Sequence, residues 1–343
     1  MTEDRNGTAP DGPAEDGPAK DGPAEDVTGA FVGHRELLFS IVYNLLGSVA
    51  DTEDVLQETW LSWARRSARP AEPVERPRPY LVRIAVNHAL ARQATISRRR
   101  ETYIGPWLPD PIVTSDAPDA AGPARPAALA GAFDVADPGD VADAADGADA
   151  VQRAESVSLA LMVVLETLTP LERAVFVLHE VFGYAHPEIA GILDRSPSAV
   201  RQLAHRAREH VQARRPRYRS DPRLRREVTE RFLTAVRGGD LQALLRILAP
   251  DVVLWADGGG KARAAGLRPL HGRERVARVI AASSRRGIAG FNVRYRGVNG
   301  DPSVLLFSGD APFAVIVLEL TPDRGQVSGV YAVTNPDKLT RVH

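Results

Sequence analysis

The sequence predicts a multidomain protein in which two all-α domains precede one α+β domain. Apolar residues recur at helical spacing throughout residues 29–106 and 153–218, which predicts two helical domains. Residues 222–343 carry helical patterns followed by four runs rich in Val, Ile and aromatic residues, an order that predicts helices packed on a sheet. An Ala/Asp/Pro-rich linker over residues 107–152 separates the helical domains, and an acidic tail over residues 1–28 precedes them.

Two acidic stretches conceal a basic protein. The chain carries 43 Lys and Arg against 44 Asp and Glu, a balance that by itself indicates no charged partner. Residues 1–26 and 109–150 are of low complexity and cannot bury an apolar core, so both are predicted to be disordered, inert segments. The remaining residues carry 40 bases and 27 acids, an excess that suits a nucleic-acid partner.

Composition excludes several classes of protein. The chain has no cysteine, so it has no disulfide framework, no thiol nucleophile and no zinc finger. No apolar run approaches the length of a membrane span, and the N-terminus is acidic, unlike a secretory signal. The expectation is a cytoplasmic protein that does not contact a membrane and that uses no metal or cofactor.

The first helical domain is predicted from three amphipathic segments. The first is an apolar stripe over residues 37–46, and a second helix starts at Ser48 or Asp51. Acidic residues crowd the first two turns of this second helix, where they favour the helix dipole and form a patch that suggests a docking surface for a basic partner. A third helix over residues 80–94 leads into a basic cluster at 97–100, which suits contacts to the DNA backbone.

Residues 158–215 predict a helical hairpin that leads into a helix-turn-helix. A capping box with proline at the first helical position, Thr169–Glu172, starts the second helix of the hairpin. A short helix over residues 187–193, a tight turn over 194–196 and a helix that begins at Pro197 complete the motif. That last helix has an apolar inner face, and its outer face carries Arg201, Gln202, His205, Arg206 and Arg208. Such side chains reach base edges and phosphates in the major groove, so this helix is predicted to recognise DNA.

Two blocks of sequence resemble a known family. Residues 31–63, FVGHRELLFSIVYNLLGSVADTEDVLQETWLSW, resemble region 2 of the extracytoplasmic-function (ECF) sigma factors of bacterial RNA polymerase, and residues 158–215 resemble their region 4. Three short motifs resemble the signature of the SigJ-like subgroup, which carries a fused SnoaL-like domain: Trp107–Pro111, Asp257–Lys261 and Asn335–Leu339. The order of elements after residue 222 resembles the NTF2-like cone of the SnoaL group, whose sheet encloses a pocket.

The resemblance implies a sigma factor that binds core RNA polymerase and promoter DNA and has no catalytic residues. The acidic helix would bind the basic coiled coil of the largest polymerase subunit through Asp51, Asp54, Gln57 and Glu58. The −10 element would be handled by Arg83, Asn87, His88, Arg98, Arg99 and Arg100. The −35 element would be read by Ser198, Arg201, Gln202, His205 and Arg206.

In the subgroup that the chain resembles, the C-terminal extension regulates the sigma factor in place of a separate anti-sigma protein. The residues that this resemblance assigns to interdomain regulatory contacts are Trp107, Pro109, Asp257, Gly258, Gly259, Gly260, Asn335, Pro336, Asp337, Lys338 and Leu339. A small-molecule ligand in the C-terminal pocket is left open, and the free protein is expected to be a monomer.

Two other functions are left open by the residues. A stand-alone helix-turn-helix regulator with a ligand-sensing domain predicts DNA binding without polymerase, but it leaves the block from Asp51 to Trp63 unexplained. A bifunctional protein with an enzymatic SnoaL-like domain predicts turnover of a small hydrophobic substrate and loss of turnover when Asp257 or His271 is changed.

The enzymatic alternative has its own candidate residues. They are Asp257, His271, Asp310 and Tyr331, with Trp255 lining the cavity. No spacing rule brings them together, and the favoured interpretation places Trp255 and Tyr331 in the core and Asp257 at the opening of a loop. The Gly258–Gly260 run followed by Lys261 lacks the second half of a phosphate-binding loop, so its glycines are assigned to a loop with positive φ.

Overall fold

The computed structural model describes residues 23–67, 74–115, 157–214, 222–262, 266–284, 290–321 and 325–343. Most of the predicted acidic tail and most of the Ala/Asp/Pro-rich insert lie outside the described residues. Among the described helices, none combines the length and the apolar character that crossing a membrane requires.

The N-terminal domain is a bundle of three helices, α1 (Pro23–Leu46), α2 (Val49–Ser67) and α3 (Pro77–Glu101). Helix α1 begins within the predicted acidic tail, and the basic cluster at 97–100 lies in the last turns of α3 instead of following it. Ser48 Oγ accepts a hydrogen bond from the Asp51 N–H (3.4 Å), and the carboxylate of Asp110 accepts one from the Val49 N–H (2.8 Å). A linker residue therefore completes the start of α2.

The second helical domain contains α4 (Leu159–Leu165), α5 (Pro170–Phe176, continued by a π-helical segment, Val177–Val181), α6 (His186–Leu193) and α7 (Pro197–Arg214). The capping box of α5 is formed, because the Glu172 N–H donates to Thr169 Oγ1 and the Thr169 N–H donates to the Glu172 carboxylate. Gly183 (φ 73°) follows α5 and Asp194 (φ 54°) follows α6, and their left-handed backbone ends these helices. Helices α6 and α7 therefore form a helix-turn-helix.

The C-terminal domain is a mixed sheet with three helices on one face, α8 (Pro222–Gly238), α9 (Leu241–Ile247) and α10 (Arg273–Ser284). Six of its strands are β2 (Leu248–Asp257), β3 (Leu270–His271), β4 (Asn292–Val298), β5 (Asp301–Ser308), β6 (Ala311–Leu320) and β7 (Val327–Val333). In the order β4-β5-β6-β7-β2-β3, all neighbours are antiparallel except β7 and β2, which are parallel. The predicted α+β class is confirmed. Helix α9 ends three residues earlier than predicted, because residues 248–250 belong to β2.

The linker contributes a strand that the sequence analysis did not predict. Strand β1 (Val113–Ser115) forms the edge of the sheet and pairs antiparallel with β4, with Val113 opposite Val298. Next to it, the Asn299 N–H donates to the Ile112 carbonyl (2.9 Å), and the Ile112 N–H donates to Asn299 Oδ1 (3.2 Å). A three-residue strand is too short to produce a recognisable alternating pattern in the sequence.

The two helical domains share a single apolar core. Its members include Leu38 and Val86 from the first domain and Phe176 and Ile189 from the second. Helices α5 and α6 contact α3 directly. We call this packing of residues 23–101 against residues 157–214 the closed arrangement.

Helix α4 joins the helical domains to the sheet. Leu161 and Met162 pack in the shared helical core. Leu159 and Ala160 pack instead on the face of the sheet opposite α8–α10, where they meet the fully buried Leu108 of the linker. The linker and α4 therefore cover the second face of the sheet.

Candidate functional site

The exposed face of α7 is the first candidate site. Its apolar residues, Val200 and Ala207 among them, are buried. The exposed residues include the five predicted to read DNA: Ser198, Arg201, Gln202, His205 and Arg206. Arg208 differs from the prediction that it points outward, because its Nε lies 2.5 Å from Oε1 of Glu180, which is itself buried. This ion pair fastens α7 to the π-helical segment.

Two of the exposed α7 residues have acidic neighbours. Arg206 Nε lies 3.3 Å from a carboxylate oxygen of Glu172, and His205 Nε2 lies 3.5 Å from one of Glu209. The Arg206 and His205 side chains are both more than half exposed, and contacts made by such exposed side chains contribute little free energy. Both side chains therefore remain accessible on the surface of α7.

The acidic face of α2 is the second candidate site, and it is partly internal. Asp51 is buried and accepts hydrogen bonds from Arg92 Nε (3.0 Å) and Arg99 Nη2 (2.5 Å). Burial favours the neutral form of Asp51, but the hydrogen bonds from Arg99 and Arg92 outweigh it, so its pKa lies below the ordinary value. Asp51 thus joins α2 to α3, unlike the open docking carboxylate that was predicted. The other three predicted residues are exposed: Asp54, Gln57 and Glu58.

The predicted −10 residues lie along α3, but they differ in accessibility. Arg83, Asn87 and Arg98 are exposed. His88 is half-buried, with its ring nitrogens 3.2 Å from Ser62 Oγ and 3.4 Å from a carboxylate oxygen of Glu58. Arg83, Asn87 and Arg98 are therefore accessible on α3.

Arg100 does not share that exposed face. Its Nη2 donates to the Leu46 carbonyl at the end of α1 (2.8 Å), and its Nη1 contacts the carboxylate of Glu166 in the second helical domain. Its guanidinium carbon lies 3.5 Å from the ring centroid of Trp107. In the closed arrangement Arg100 is therefore an interdomain contact.

The side chain of Asp257 is the centre of a third candidate site, at the end of β2. It is fully buried. Its carboxylate accepts hydrogen bonds from the Tyr103 hydroxyl (2.5 Å), the Leu108 N–H (2.9 Å) and Lys338 Nζ (2.8 Å). Burial and the adjacent carboxylate raise the pKa of Tyr103. Asp257 thus binds the end of α3, the linker and the C-terminal segment together.

Lys338 is the main cation of this third site. Its ammonium donates to the Leu108 carbonyl, lies 3.9 Å from a carboxylate oxygen of Asp110 and lies 4.1 Å from the ring centroid of Trp107. Burial lowers the pKa of Lys338 against the opposing effect of Asp257 and Asp110. Trp107 therefore contacts two cations, Arg100 from α3 and Lys338 from the C-terminal segment.

The three short motifs meet around this cluster. Asn335 Nδ2 donates to the Tyr103 hydroxyl (2.8 Å), and a side chain at Gly259 (φ 58°) would collide with Asn335. Leu339 is buried beside Leu108 in the apolar core. Of the remaining members, Pro109 and Gly258 are buried, and Gly260 and Pro336 are exposed. The Gly258 carbonyl accepts hydrogen bonds from the Lys261 and Ala262 N–H groups, and the Pro336 carbonyl accepts one from the Leu339 N–H.

The last charged pair of these motifs lies at the surface. Lys261 Nζ lies 2.6 Å from a carboxylate oxygen of Asp337, and both side chains are more than half exposed. The described contacts of Asp337 all lie within the C-terminal domain, unlike the interdomain role that the resemblance assigned to this residue. The Lys261–Asp337 pair is therefore a reference for the buried pair formed by Lys338 and Asp257.

Sequence reasoning missed several residues of the third site. The Tyr43 hydroxyl donates to the Asp110 carbonyl (2.5 Å), and Asn299 Nδ2 donates to that hydroxyl (2.8 Å). Tyr103 joins Asp257 to Asn335. The sequence carries one signal for this set, the Asn-Gly turn at residues 299–300, whereas Tyr43 lies inside an ordinary apolar stripe.

The residues of the enzymatic alternative do not converge. His271 and Asp310 are exposed on separate elements, and Asp257 is fully bonded within the interdomain cluster. The Trp255 and Tyr331 rings stack with centroids 4.7 Å apart, and Tyr331 is buried. Within the described ranges no cluster of three His, Asp or Glu is arranged to hold a metal ion.

Comparison with known proteins defines the class of the two helical domains. Residues 31–99 match the family model described as Sigma-70 region 2, and residues 158–211 match Sigma-70 region 4. These matches cover the three-helix bundle and the helix-turn-helix. The chain is therefore of the sigma-70 class.

Whole-chain relatives narrow the class to a family. The ECF RNA polymerase sigma factor SigJ of Mycobacterium tuberculosis is 34% identical over 90% of this chain and 92% of its own length. A probable ECF RNA polymerase sigma factor of the same organism, SigI, is 29% identical over 91% of this chain and 94% of its own. The crystal structure of Mycobacterium tuberculosis SigJ matches with a TM-score of 0.64 and 31% identity, over 91% of this chain and 98% of that one. The chain belongs to the ECF RNA polymerase sigma factors, as its resemblance predicted, and is not a stand-alone helix-turn-helix regulator.

Proposed function

We propose that this ECF sigma factor is controlled by its own C-terminal domain, which stabilises an inactive closed arrangement of regions 2 and 4. The proposal rests on the contacts by which Asp257 and Lys338 hold the linker, which we call the clamp. Asp257 and Lys338, both in the C-terminal domain, hold Leu108 from its N–H and its carbonyl. The same linker segment lies against region 2 through Asp110 and Trp107.

The spacing of promoter elements explains why the closed arrangement is inactive. The −10 and −35 elements lie about 25 base pairs apart, roughly 85 Å at ~3.4 Å per base pair. Regions 2 and 4 share one apolar core in the closed arrangement. The two regions must therefore separate before both elements can be bound at once.

The roles of individual residues follow from exposure and charge. We assign the −35 element to Ser198, Arg201, Gln202, His205 and Arg206, which form the outer face of α7. We assign the −10 element to Arg83, Asn87, His88, Arg98, Arg99 and Arg100 on α3. Core RNA polymerase is bound by Asp54, Gln57 and Glu58 on α2, with Asp51 supporting that helix from within.

The C-terminal domain acts in this proposal as a regulator and not as an enzyme. The support is that the carboxylate of Asp257, one of the candidate catalytic residues, accepts hydrogen bonds from Tyr103 and Leu108 outside its domain and from Lys338 within it. A ligand in this domain would control transcription only by binding the closed or the open arrangement more tightly. The second face of the sheet is covered by the chain's own Leu108 and Leu159, which supports a monomeric free protein.

Run-off transcription with purified core RNA polymerase tests the proposal, on promoters selected from a random pool. We expect promoter-specific transcripts that depend on the full chain, and more of them with the Asp257→Asn variant. Asp337→Asn is the matched control, because it breaks an exposed Lys–Asp pair in the same domain. Equal transcription by both variants and the unchanged chain would refute control by the clamp.

A second comparison tests the assignment of α7. Arg201→Ala should reduce transcription mainly at promoters with one particular base in the −35 element, by the equivalent of about 1–3 kcal/mol. Arg278→Ala, an exposed arginine on α10, is the control and should have no effect. A uniform reduction across promoter variants would reassign Arg201 to a phosphate contact.

A further inference from the structure

Three side chains from different places cap the end of α1. Arg173 Nε donates to the Asn44 carbonyl (3.1 Å), Gln93 Nε2 to the Leu45 carbonyl (2.8 Å) and Arg100 Nη2 to the Leu46 carbonyl (2.8 Å). The last carbonyls of a helix have no partner within the helix and carry partial negative charge, so cations are favourable there. Arg100 belongs to region 2 and Arg173 to region 4, and the two guanidinium groups lie near each other.

Glu166, at the end of α4, is the anion between these two arginines. One carboxylate oxygen contacts Arg100 and the other contacts Arg173. Its side chain is only 17% exposed, and that of Arg173 is 4% exposed. Burial and the charge of Arg173 lower the pKa of Arg100, so without Glu166 the two cations would repel each other in a place that water barely reaches.

The contacts with Glu166 leave a hydrogen-bond donor unsatisfied on each of the two arginines. Within the part of the chain that the structure describes, Arg100 Nε and Arg173 Nη2 are buried and have no hydrogen-bond acceptor. Leaving a buried donor unpaired opposes the arrangement that buries it. The closed arrangement therefore holds Arg100 with less than the full set of acceptors that a guanidinium can bind.

We propose that the carboxylate of Glu166 occupies the position beside Arg100 that a phosphate of bound DNA takes. The carboxylate occupies Arg100 in the closed arrangement, and a backbone phosphate of the −10 DNA replaces it when region 4 leaves region 2. A carboxylate and a phosphate both carry anionic oxygens that accept from a guanidinium, so the exchange keeps a charge-assisted hydrogen bond on Arg100. This inference rests on the proposed assignment of the α3 basic cluster to DNA.

Within that basic cluster, Arg100 is the residue for which Glu166 and a DNA phosphate would compete. Arg98 is exposed, and Arg99 is paired with Asp51 inside region 2. Among the contacts described for these three arginines, those of Arg100 reach region 4, through Glu166, and the linker, through Trp107. Closing the protein therefore removes one DNA-binding cation, and binding DNA removes one contact of the closed arrangement.

The test compares Glu166→Gln with Glu188→Gln in the full chain. Both substitutions remove one negative charge from region 4. Glu188 caps α6, a role that glutamine also fills, and none of its described contacts reaches region 2. Two quantities are measured for each: the separation of regions 2 and 4, by small-angle scattering, and the affinity for a promoter fragment opened at the −10 element, at several salt concentrations.

We expect Glu166→Gln to expand the protein and to bind the fragment at least about tenfold more tightly, the effect of one charge-assisted contact. Its salt dependence should be steeper by about one unit in the slope of log affinity against log salt. Adding Arg100→Gln to Glu166→Gln should abolish both gains while the protein stays expanded. Glu188→Gln should behave as the unchanged chain.

Two results would overturn the inference. One is no expansion with Glu166→Gln. The other is expansion without any gain in affinity, which would mean that Glu166 only forms a structural ion pair.

If Glu166→Gln fails to fold, Glu166→Asp provides a second variant. It keeps the charge but is too short to reach both arginines, and it should show smaller changes of the same sign. If neither the unchanged chain nor Asp257→Asn produced promoter-specific transcripts, that result would count against the proposed function and not against this exchange.

Discussion

Replacing Asp257 with asparagine should release the linker from the C-terminal domain. The carboxylate is fully buried and serves three donors, and Lys338, its ionic partner, has a side chain only 9% exposed. Asparagine removes the charge and places an N–H group toward at least one of those donors. Breaking one side of a buried ion pair costs about 3–5 kcal/mol. Asp110, 3.9 Å from Lys338, offsets part of this loss, so we take about 3 kcal/mol, the lower end of that range.

Hydrogen exchange of single backbone amides measures this release directly. The Asp110 N–H donates to the Gly47 carbonyl (2.9 Å), so its protection reports the docking of the linker on region 2. A loss of about 3 kcal/mol predicts exchange roughly 10²-fold faster at this amide, since each ~1.4 kcal/mol is a factor of ten. Leu305, in the middle of β5, should keep its protection. Asp337→Asn should change neither amide.

Two outcomes would refute the reasoning about Asp257. An acceleration below about threefold at Asp110 would mean that the buried pair does not hold the linker. An equal acceleration at Leu305 would mean that the substitution destabilises the whole domain and not the clamp.

Three further predictions concern local contacts. Gly47→Ala should weaken the closed arrangement by at least about 1 kcal/mol, because Gly47 has φ 68° and a new Cβ would lie 2.7 Å from the Trp107 ring. Protection of the Asp110 N–H from hydrogen exchange measures this loss. Thr169→Ala removes the capping box of α5 and should lower the free energy of unfolding by about 1 kcal/mol, as urea denaturation would show, whereas Thr169→Ser should restore most of it. The pKa of Asp51 is held below its ordinary value of 3.8, so its stabilising effect is present above that pH and is lost as the pH falls through the lowered pKa. The acid limb of a stability–pH curve should therefore flatten in Asp51→Asn, and an unchanged limb would contradict the role of the Asp51 network.

Local signals explain what the sequence could predict. The capping box at Thr169 and the proline at the first turn of α7 are contained in a few adjacent residues, and both fix where a helix starts. The buried and exposed faces of α7 follow from helical periodicity alone. These features decide the helix-turn-helix before any long-range contact is considered.

Contacts between distant residues explain what the sequence could not predict. The Tyr43 hydroxyl meets Asp110 from 67 residues away and Asn299 from 256 residues away. No periodic pattern connects such positions. The same limit applies to charges: Asp51 and Arg100 were assigned to surfaces from their residue types, but the partners that bury them come from other helices. Charge in a sequence predicts the kind of partner and not whether that partner is internal.

The placement of β1 and α4 has a consequence for the length of the chain between them. Both elements lie on the same sheet, β1 at its edge and α4 on its second face, so the closed arrangement fixes the two points that the 41 residues from 116 to 156 connect. The entropic cost of connecting two fixed points rises only slowly with the number of residues between them, by about 0.6 kcal/mol for each doubling. Long insertions or deletions between these two anchors would therefore hardly alter the closed arrangement. In the proposed open arrangement the same residues connect region 2 to region 4, so a change in their number would act mainly on the distance between the two promoter elements that the protein can bind at once.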